Sequence, residues 1–139
     1  MDLRLEVVVV PVSDVDRAKA FYAEKMGFNV DVDQSFGDKF RVVQLTPPNS
    51  ACSITFMEGM DPGMKPGSLQ GLQITTSDLV GTRKELLDRG VEVSEIQTVD
   101  QEAGKFVPLE GPPETFNAFA FFSDPDGNGW AIQQGPTPG

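Results

Sequence analysis

The sequence contains no histidine, one cysteine, one tyrosine and one tryptophan. The absence of histidine excludes imidazole-based catalytic triads, imidazole general bases and histidine-ligated metal sites. Cys52 has no second cysteine in the chain with which to form a disulfide, which is typical of a protein from a reducing compartment. No run of about 18 apolar residues could cross a membrane as a helix, and no signal-peptide pattern is present. We therefore expect a soluble, cytoplasmic protein.

Basic residues are scarce, since 11 Lys and Arg stand against 21 Asp and Glu, which gives a net charge of −10. Such a surface repels nucleic-acid phosphates and anionic lipid headgroups, and it attracts cationic ligands. We expect neither a nucleic-acid partner nor a membrane partner. The 39% hydrophobic share of 139 residues is sufficient for one core.

The chain contains an internal repeat. In both halves an apolar strand leads to a Ser-Asp pair, then to a helix that ends at a glycine, and then to further strands, with Asp14 and Asp78 in equivalent positions. The repeat predicts one domain over residues 1–139, built from a first βαβββ module (1–58), a Gly- and Pro-rich linker (59–68) and a second βαβββ module (69–139). Because each module is too small to bury its helix well, we expect the two to share one core.

Hydrophobic periodicity predicts the elements of each module. The first should contain a buried strand over 5–12, a helix capped by a box at Ser13–Asp16 with Val15, Ala18, Tyr22 and Met26 on its buried face, and strands at 28–33, 40–45 and 51–57. The second should contain a strand over 71–76, a helix from Leu79 to Gly90, and strands at 91–93, 117–123 and 130–134.

An acidic insertion, residues 98–116, precedes the last two strands. From Glu92 to Glu114 there are six acidic residues against a single base, Lys105. This composition is typical of a solvated loop, and it also fits a mobile flap that offers carboxylates to a cationic ligand. We expect this segment to be more mobile than the sheets.

Two motifs carry a resemblance to a known family. The first is Pro11-Val12-Ser13-Asp14-Val15-Asp16-Arg17-Ala18 with Phe21-Tyr22 and Gly27-Phe28, and the second is Phe122-Ser123-Asp124-Pro125-Asp126-Gly127-Asn128. Together they resemble the vicinal oxygen chelate superfamily, which includes glyoxalase I, bleomycin-resistance proteins and extradiol dioxygenases. The resemblance implies an α+β fold, in which two βαβββ modules form a curved mixed sheet around a cavity, and a homodimer. The motif residues themselves are predicted to build the fold.

In the metal-dependent members of that superfamily, His or Glu ligands lie in the first and last strands of each module. The matching positions here are occupied by Val7, Ser53, Gly71 and Ala131. None of these side chains is an imidazole or a carboxylate, which are the usual protein ligands of such metals. The resemblance therefore implies neither a catalytic metal nor another cofactor in this chain.

Without that metal set, the resemblance favours a binding protein of the bleomycin-resistance type that sequesters a cationic aromatic drug or metabolite at a dimer cleft. Strand alternation places Phe119 and Phe121 on one face, and the register of Ala131 places Gln133 in the cavity and Trp130 in the core. The predicted ligand-binding residues are Phe40, Arg41, Ser53, Gly71, Gln73, Phe106, Asn117, Phe119, Phe121 and Gln133.

Two alternatives remain open. One is a metal-independent enzyme, a glyoxalase-like lyase or isomerase or a dioxygenase-related enzyme, acting on a small carbonyl compound. Arg41 could then polarise the carbonyl and Glu110 or Glu114 could act as a base, yet no pair of residues has a spacing that indicates a mechanism. The other is a small-molecule binder unrelated to drugs. No catalytic residue is predicted.

Overall fold

The structure is a computed structural model that describes residues 1–136. These residues form one sheet of four strands, one sheet of five strands and two α-helices. Within the described residues, no helix is long and apolar enough to cross a membrane. The chain divides into two compact units, Met1–Leu69 with Asp124–Asn128, and Gln70–Ser123 with the described residues from Gly129 onward. The sharing of one core by two modules in a single domain stays a prediction.

The first unit has the predicted βαβββ order. Its elements are β1 (Val7–Val9), α1 (Val15–Ala20) continued by a π-helical turn (Phe21–Lys25), β2 (Asn29–Phe36), β3 (Phe40–Thr46) and β4 (Ser53–Glu58). The strand order is β1-β4-β3-β2, in which β1 pairs parallel to β4 and the other pairs are antiparallel.

The helix covers one face of this sheet. The predicted positions Val15, Ala18, Tyr22 and Met26 are all buried, and so are Val43, Leu45, Ile54 and Phe56 on β3 and β4. The Tyr22 ring lies 6.0 Å from the Phe56 ring between centroids. Gly27 ends the helix with a φ of 74°, which a glycine adopts without a Cβ clash.

The structure corrects three details of the first module. The strand β1 is shorter than residues 5–12, and Leu5 is 74% exposed rather than buried. The helix N-cap is Asp14, whose Oδ1 accepts the amide of Arg17, because Ser13 binds the Asp126 carboxylate instead. The last helical turn is π-helical, since the amide of Met26 donates to the Phe21 carbonyl.

The second unit repeats this strand order and adds an edge strand. Its elements are β5 (Leu72–Thr76), α2 (Leu79–Asp88), β6 (Gln97–Asp100), β7 (Lys105–Pro108), β8 (Phe119–Ser123) and β9 (Gly129–Gln134), in the order β5-β9-β8-β6-β7. Asp78, from the Ser-Asp pair that precedes the predicted helix, caps α2, where its Oδ1 accepts the amide of Gly81 at 3.0 Å. The α+β fold predicted from the sequence is therefore present, with β6 in the place that β2 holds in the first sheet.

Two predictions for the second module are wrong. Residues 91–93 form no strand, although Val91 and Val93 are buried, and the corresponding strand is β6, further along the chain. The acidic insertion is not one long loop, because its first part forms the antiparallel β6–β7 hairpin, with Asp100 opposite Lys105. The mobility of residues 98–116 stays a prediction.

Candidate ligand-binding face

Strict alternation along β8 and β9 gives the second sheet one buried face and one open face. Ala118, Ala120, Phe122, Trp130 and Ile132 are buried, as the sequence predicts for Trp130. The intervening side chains of Phe119, Phe121, Ala131 and Gln133 point to the other side and are half-buried. We call this side, together with Gln73 on β5 and Phe106 on β7, the open face of the second sheet.

An aromatic cluster lies on this open face. The Phe106 ring meets the Phe119 ring edge-on at 5.3 Å between centroids and the Phe121 ring at 5.0 Å, with interplanar angles of 75° and 76°. Phe106 is 45% exposed, so a substantial part of an aromatic surface remains open to solvent. Such rings favour edge-on or offset contacts with a further aromatic ring. The cluster can therefore bind a flat, apolar ring system.

Side-chain amides border the aromatic cluster. Gln133 lies opposite Phe119 in the β8–β9 register, and its Oε1 accepts a hydrogen bond of 3.0 Å from Gln73 Nε2. The Nε2 of Gln133 donates to the Phe116 carbonyl at 2.9 Å, which fixes the orientation of this amide. Amides both donate and accept hydrogen bonds without titrating. This border can recognise polar groups, and it offers no proton-transfer chemistry.

A pocket of about 220 Å³ adjoins the cluster at one end of the β8–β9 hairpin. Its lining includes Gln70, Gly71, Phe121, Gly129 and Ala131. Gly71 has a φ of 90°, and no heavy atom lies within 4 Å of where a Cβ would be. Gly71, Gln73, Phe106, Phe119, Phe121 and Gln133 from the predicted set thus lie on or beside one surface of the second unit.

Asn117 holds the sheet together at the edge of this surface. Its Oδ1 accepts the amide of Val99 at 3.0 Å, and its carbonyl accepts the hydroxyl of Thr98 at 2.9 Å. This side chain was predicted as a ligand contact, and the structure gives its oxygen a structural role. Its neighbour Phe116, which the sequence analysis missed, is 60% exposed with a φ of 66°. Strand alternation could not identify Phe116, because that backbone geometry takes it out of the strand pattern.

The remaining predicted site residues, Phe40, Arg41 and Ser53, belong to the first unit. Phe40 packs against Phe36 at 5.7 Å between ring centroids. Ser53 is buried, and its Oγ lies 2.6 Å from Thr46 Oγ1, which in turn donates to Asp31. These hydroxyls are already paired within the sheet.

Arg41 is the centre of an ion network on the helix-covered side of the first sheet. Its Nε and Nη2 donate to the two oxygens of Asp33 at 2.9 Å each, and its Nη1 donates to Asp16 at 2.7 Å. Lys19 also donates to Asp33, at 2.7 Å. Hydrogen bonds from Arg41 and Lys19 hold the pKa of Asp33 well below its usual range, and those to Asp33 and Asp16 raise the pKa of Arg41. The guanidinium predicted to meet a ligand is thus engaged with carboxylates of its own unit.

The positions that match the metal ligands of the superfamily do not fit a metal ion. Val7 and Ser53 are register partners in the β1–β4 pair, so their side chains lie next to each other. The valine side chain has no atom that could bind a metal ion, and the serine has only a neutral hydroxyl. Gly71 and Ala131 offer no donor side chain. Among residues 1–136, no three His, Cys, Asp or Glu side chains form a group that could hold a metal. The donor set therefore lacks the imidazoles and carboxylates that a divalent cation needs.

A larger cavity, of about 400 Å³, lies in the first unit beside the start of α1 and the end of β4. Two of its carboxylates are already used in the fold, because Asp14 caps the helix and Asp16 binds Arg41. None of the predicted site residues lines it. The open face of the second sheet is therefore the better candidate for a ligand.

Comparison with known proteins identifies the family of this chain. Residues 4–132 match the model of the Glyoxalase/Bleomycin resistance protein/Dioxygenase superfamily. No curated protein sequence gives a significant match.

Three solved structures are similar over nearly the whole chain. TnmS3, an antibiotic binding protein from Streptomyces sp. CB03234, is 33% identical, with 98% of each chain covered and a TM-score of 0.74. A glyoxalase/bleomycin resistance protein from the same organism is 34% identical, with 94% of this chain and 100% of that chain covered and a TM-score of 0.70. A superfamily member from Sphaerobacter thermophilus DSM 20745 is 26% identical, with 95% and 97% covered and a TM-score of 0.69.

Proposed function

Since this chain belongs to the Glyoxalase/Bleomycin resistance protein/Dioxygenase superfamily, we propose that it binds a small aromatic molecule and releases it unchanged, without a metal ion. The observation that carries this proposal is the half-open cluster of Phe106, Phe119 and Phe121 on one sheet face. The similarity to TnmS3, an antibiotic binding protein, supports the same class of function.

The ligand we propose is a cationic aromatic drug or metabolite. The rings of the cluster provide contact area for a flat ring system, and the Gln73–Gln133 pair provides hydrogen bonds for its polar substituents. The net charge of −10 raises the local concentration of a positively charged ligand. Because this attraction acts through solvent, the affinity should fall as the salt concentration rises.

The family resemblance also supports a homodimer that binds its ligand at a cleft between subunits. The single cysteine favours a location in the cytoplasm, and the internal repeat favours two modules that act as one domain. Catalysis finds less support. Arg41, the residue considered for polarising a carbonyl, is bound to Asp33 and Asp16. Phe106, Phe119, Phe121, Gln73 and Gln133 carry no group that titrates near neutral pH. We therefore favour binding over a lyase or isomerase activity.

Calorimetric titration and thermal unfolding with two probes, metal-free bleomycin and the cationic acridine dye proflavine, test this proposal. A probe at 100 times its dissociation constant should stabilise the protein by about 2.7 kcal/mol, which is readily seen as a raised melting temperature. Phe106→Ala should weaken binding about fivefold to thirtyfold, equivalent to about 1–2 kcal/mol, through lost ring contact. Leu87→Ala is the matched control, because Leu87 is similarly exposed, at 40%, on α2.

The proposal is wrong if neither probe binds at millimolar concentration, or if Phe106→Ala and Leu87→Ala change the affinity equally. Metal analysis of the purified protein tests the metal-free assignment separately. Stoichiometric nickel, zinc, iron or manganese that survives dialysis would contradict it.

A further inference from the structure

The side-chain amide of Gln133 has its orientation fixed by a backbone carbonyl. Its Nε2 donates to the Phe116 carbonyl at 2.9 Å, and a carbonyl oxygen can only accept a hydrogen bond. The backbone at Phe116 is itself held, because the amide of Phe116 donates to the Gln134 carbonyl at 2.8 Å. The nitrogen of the Gln133 amide must therefore face Phe116, and its Oε1 is left to face β5.

The Gln133 amide in turn orients the amide of Gln73. Gln133 Oε1 accepts a hydrogen bond of 3.0 Å from Gln73 Nε2, so the nitrogen of Gln73 faces Gln133. A half-turn of the Gln73 amide would place two oxygens against each other, and neither of them could donate. Gln73 is exposed, and its Oε1 accepts no hydrogen bond from residues 1–136. This chain of amides therefore ends on β5 in an acceptor oxygen of fixed orientation.

The oriented acceptor lies in one row with an aromatic ring. Ala131 is the register partner of Gln73 in the β5–β9 pair and of Phe121 in the β8–β9 pair. Neighbouring strands are about 4.8 Å apart, so the Cα atoms of Gln73 and Phe121 lie about 10 Å apart, with the small Ala131 side chain between them. A flat ring system lying over Ala131 thus contacts Phe121 at one side and brings its opposite edge to Gln73.

We propose that Gln73 determines the specificity of this face, by selecting aromatic cations that carry an amino N–H on the edge of the ring system. This inference rests on the proposed function and adds the polarity that the ligand must present. An N–H that shares a positive charge is a strong donor, and Gln73 Oε1 is already oriented to accept it. A ligand with a methyl group at the same place leaves that oxygen covered and unpaired, which costs affinity.

Two cationic acridine dyes that differ only at the ring edge test this selection. Proflavine carries two amino groups, and in acridine orange both are dimethylated, which removes their N–H donors and keeps the positive charge. Calorimetric titration gives the ratio of the two dissociation constants, acridine orange over proflavine, for each protein variant. Gln73→Met, which keeps the length of the side chain and removes its amide, should lower this ratio at least about fivefold.

The ratio isolates the hydrogen bond from other effects of the substitution. The added methyl groups of acridine orange change its affinity in every variant alike, and a partly unfolded population weakens both dyes equally, so both effects cancel. Gln101→Met is the matched control, because Gln101 is exposed in the turn between β6 and β7, and it should leave the ratio within about twofold of wild type. A ratio unchanged in Gln73→Met, or lowered equally in Gln101→Met, would overturn the inference.

Gln133→Met tests whether Gln133 orients Gln73. This variant keeps the accepting oxygen of Gln73 but removes the partner that fixes its direction. The ratio should fall at least about twofold, and less than in Gln73→Met, because part of the preorganisation is lost while the acceptor remains. A wild-type ratio in Gln133→Met would refute the orienting role of Gln133.

The same titrations separate this inference from the proposed function. If both dyes bind and Phe106→Ala weakens both, while Gln73→Met leaves their ratio unchanged, the binding function stands and the selection by Gln73 is wrong. If neither dye binds at millimolar concentration, the proposed function fails and this inference fails with it.

Discussion

The buried carboxylate of Asp124 is the centre of a hydrogen-bond network in the first unit. Its Oδ1 accepts the amides of Asp126, Gly127 and Asn128 at 3.0, 3.0 and 2.9 Å. Its Oδ2 accepts the Tyr22 hydroxyl at 2.7 Å and Asn128 Nδ2 at 2.8 Å. Asp124 is 5% exposed and Tyr22 is 0% exposed, so water cannot replace a lost partner.

Tyr22→Phe removes one of these donors and leaves the ring packing unchanged. A hydrogen bond to a charged group contributes about 1.5–3 kcal/mol, and we expect the lower half of that range because the other donors to Asp124 remain. Asp124→Asn should cost more stability, about 3–4 kcal/mol. The new amide nitrogen would occupy the Oδ2 position and face Asn128 Nδ2, and two hydrogen-bond donors cannot bond to each other. These losses are large compared with a total stability of about 5–15 kcal/mol.

Urea unfolding followed by far-UV circular dichroism measures both variants, with the fluorescence of Trp130 as a second probe of two-state behaviour. Ser50→Ala is the control, because Ser50 is exposed and its hydroxyl bonds only locally to Cys52, so it should change stability by less than about 0.5 kcal/mol. A Tyr22→Phe variant within 0.5 kcal/mol of wild type would refute the reasoning from burial and geometry.

Two further variants examine other parts of the first unit. Asp33→Asn should cost about 1 kcal/mol at pH 6, since the bidentate Arg41 pair is only partly exposed. The pKa of Asp33 is lowered in the folded protein, so the difference in unfolding free energy between wild type and this variant has its full value above about pH 4 and should shrink as the pH is lowered further. A difference that stays constant down to low pH would contradict this ion pair's contribution. Gly59→Ala should cost at least about 2 kcal/mol more stability than Gly63→Ala in the same assay. Both glycines have a positive φ, so the backbone strain of the substitution is similar at the two positions. They differ in space, because a Cβ at Gly59 would lie 1.7 Å from the Lys39 carbonyl oxygen and a Cβ at Gly63 would have no heavy atom within 4 Å. Equal costs would show that the backbone near Lys39 moves aside.

Patterns that depend on a single element were predicted correctly. The buried face of α1, its end at Gly27 and the two faces of β8 and β9 follow from the spacing of apolar residues and from one glycine. Helix and strand geometry place residues of a fixed spacing on one face, and the apolar face is the one that becomes buried. The placement of Trp130 in the core, where it stacks on Phe122 at 5.8 Å between centroids, follows from the same alternation.

The β6–β7 hairpin has a turn signal in the sequence itself. Asp100 Oδ1 accepts the amides of Glu102 and Ala103, and Gly104 has a φ of 65°, which together form a tight turn between Val99 and Phe106. The acidic composition of this segment favours a loop and the turn pattern favours a hairpin, and the hairpin is what forms. Residues 91–93 show the opposite case, because a short Val-Glu-Val pattern fits a strand but gains no strand partner there.

Contacts between distant elements could not be predicted from one sequence. Alternation along β3 places Arg41 on the side of Val43 and Leu45, and the helix covers that side. Its partners Asp16 and Asp33 lie in α1 and β2, and nothing in the chain marks those two among 21 acidic residues as the ones that meet a guanidinium. The Arg41 guanidinium, predicted to contact a ligand, therefore stabilises the fold of the first unit.

The two sheets share a strand order but differ in the chemistry of the faces that carry Ser53 in the first sheet and Phe121 in the second, and this difference favours the second sheet as the candidate binding surface. In the first sheet that side carries Ser53 and Thr55, and both hydroxyls are hydrogen-bonded within the sheet. In the second, Phe106, Phe119 and Phe121 present aromatic surface whose outermost ring is 45% exposed. Since paired hydroxyls offer little to a ligand and a partly exposed ring cluster gains by being covered, binding energy should come chiefly from the second sheet.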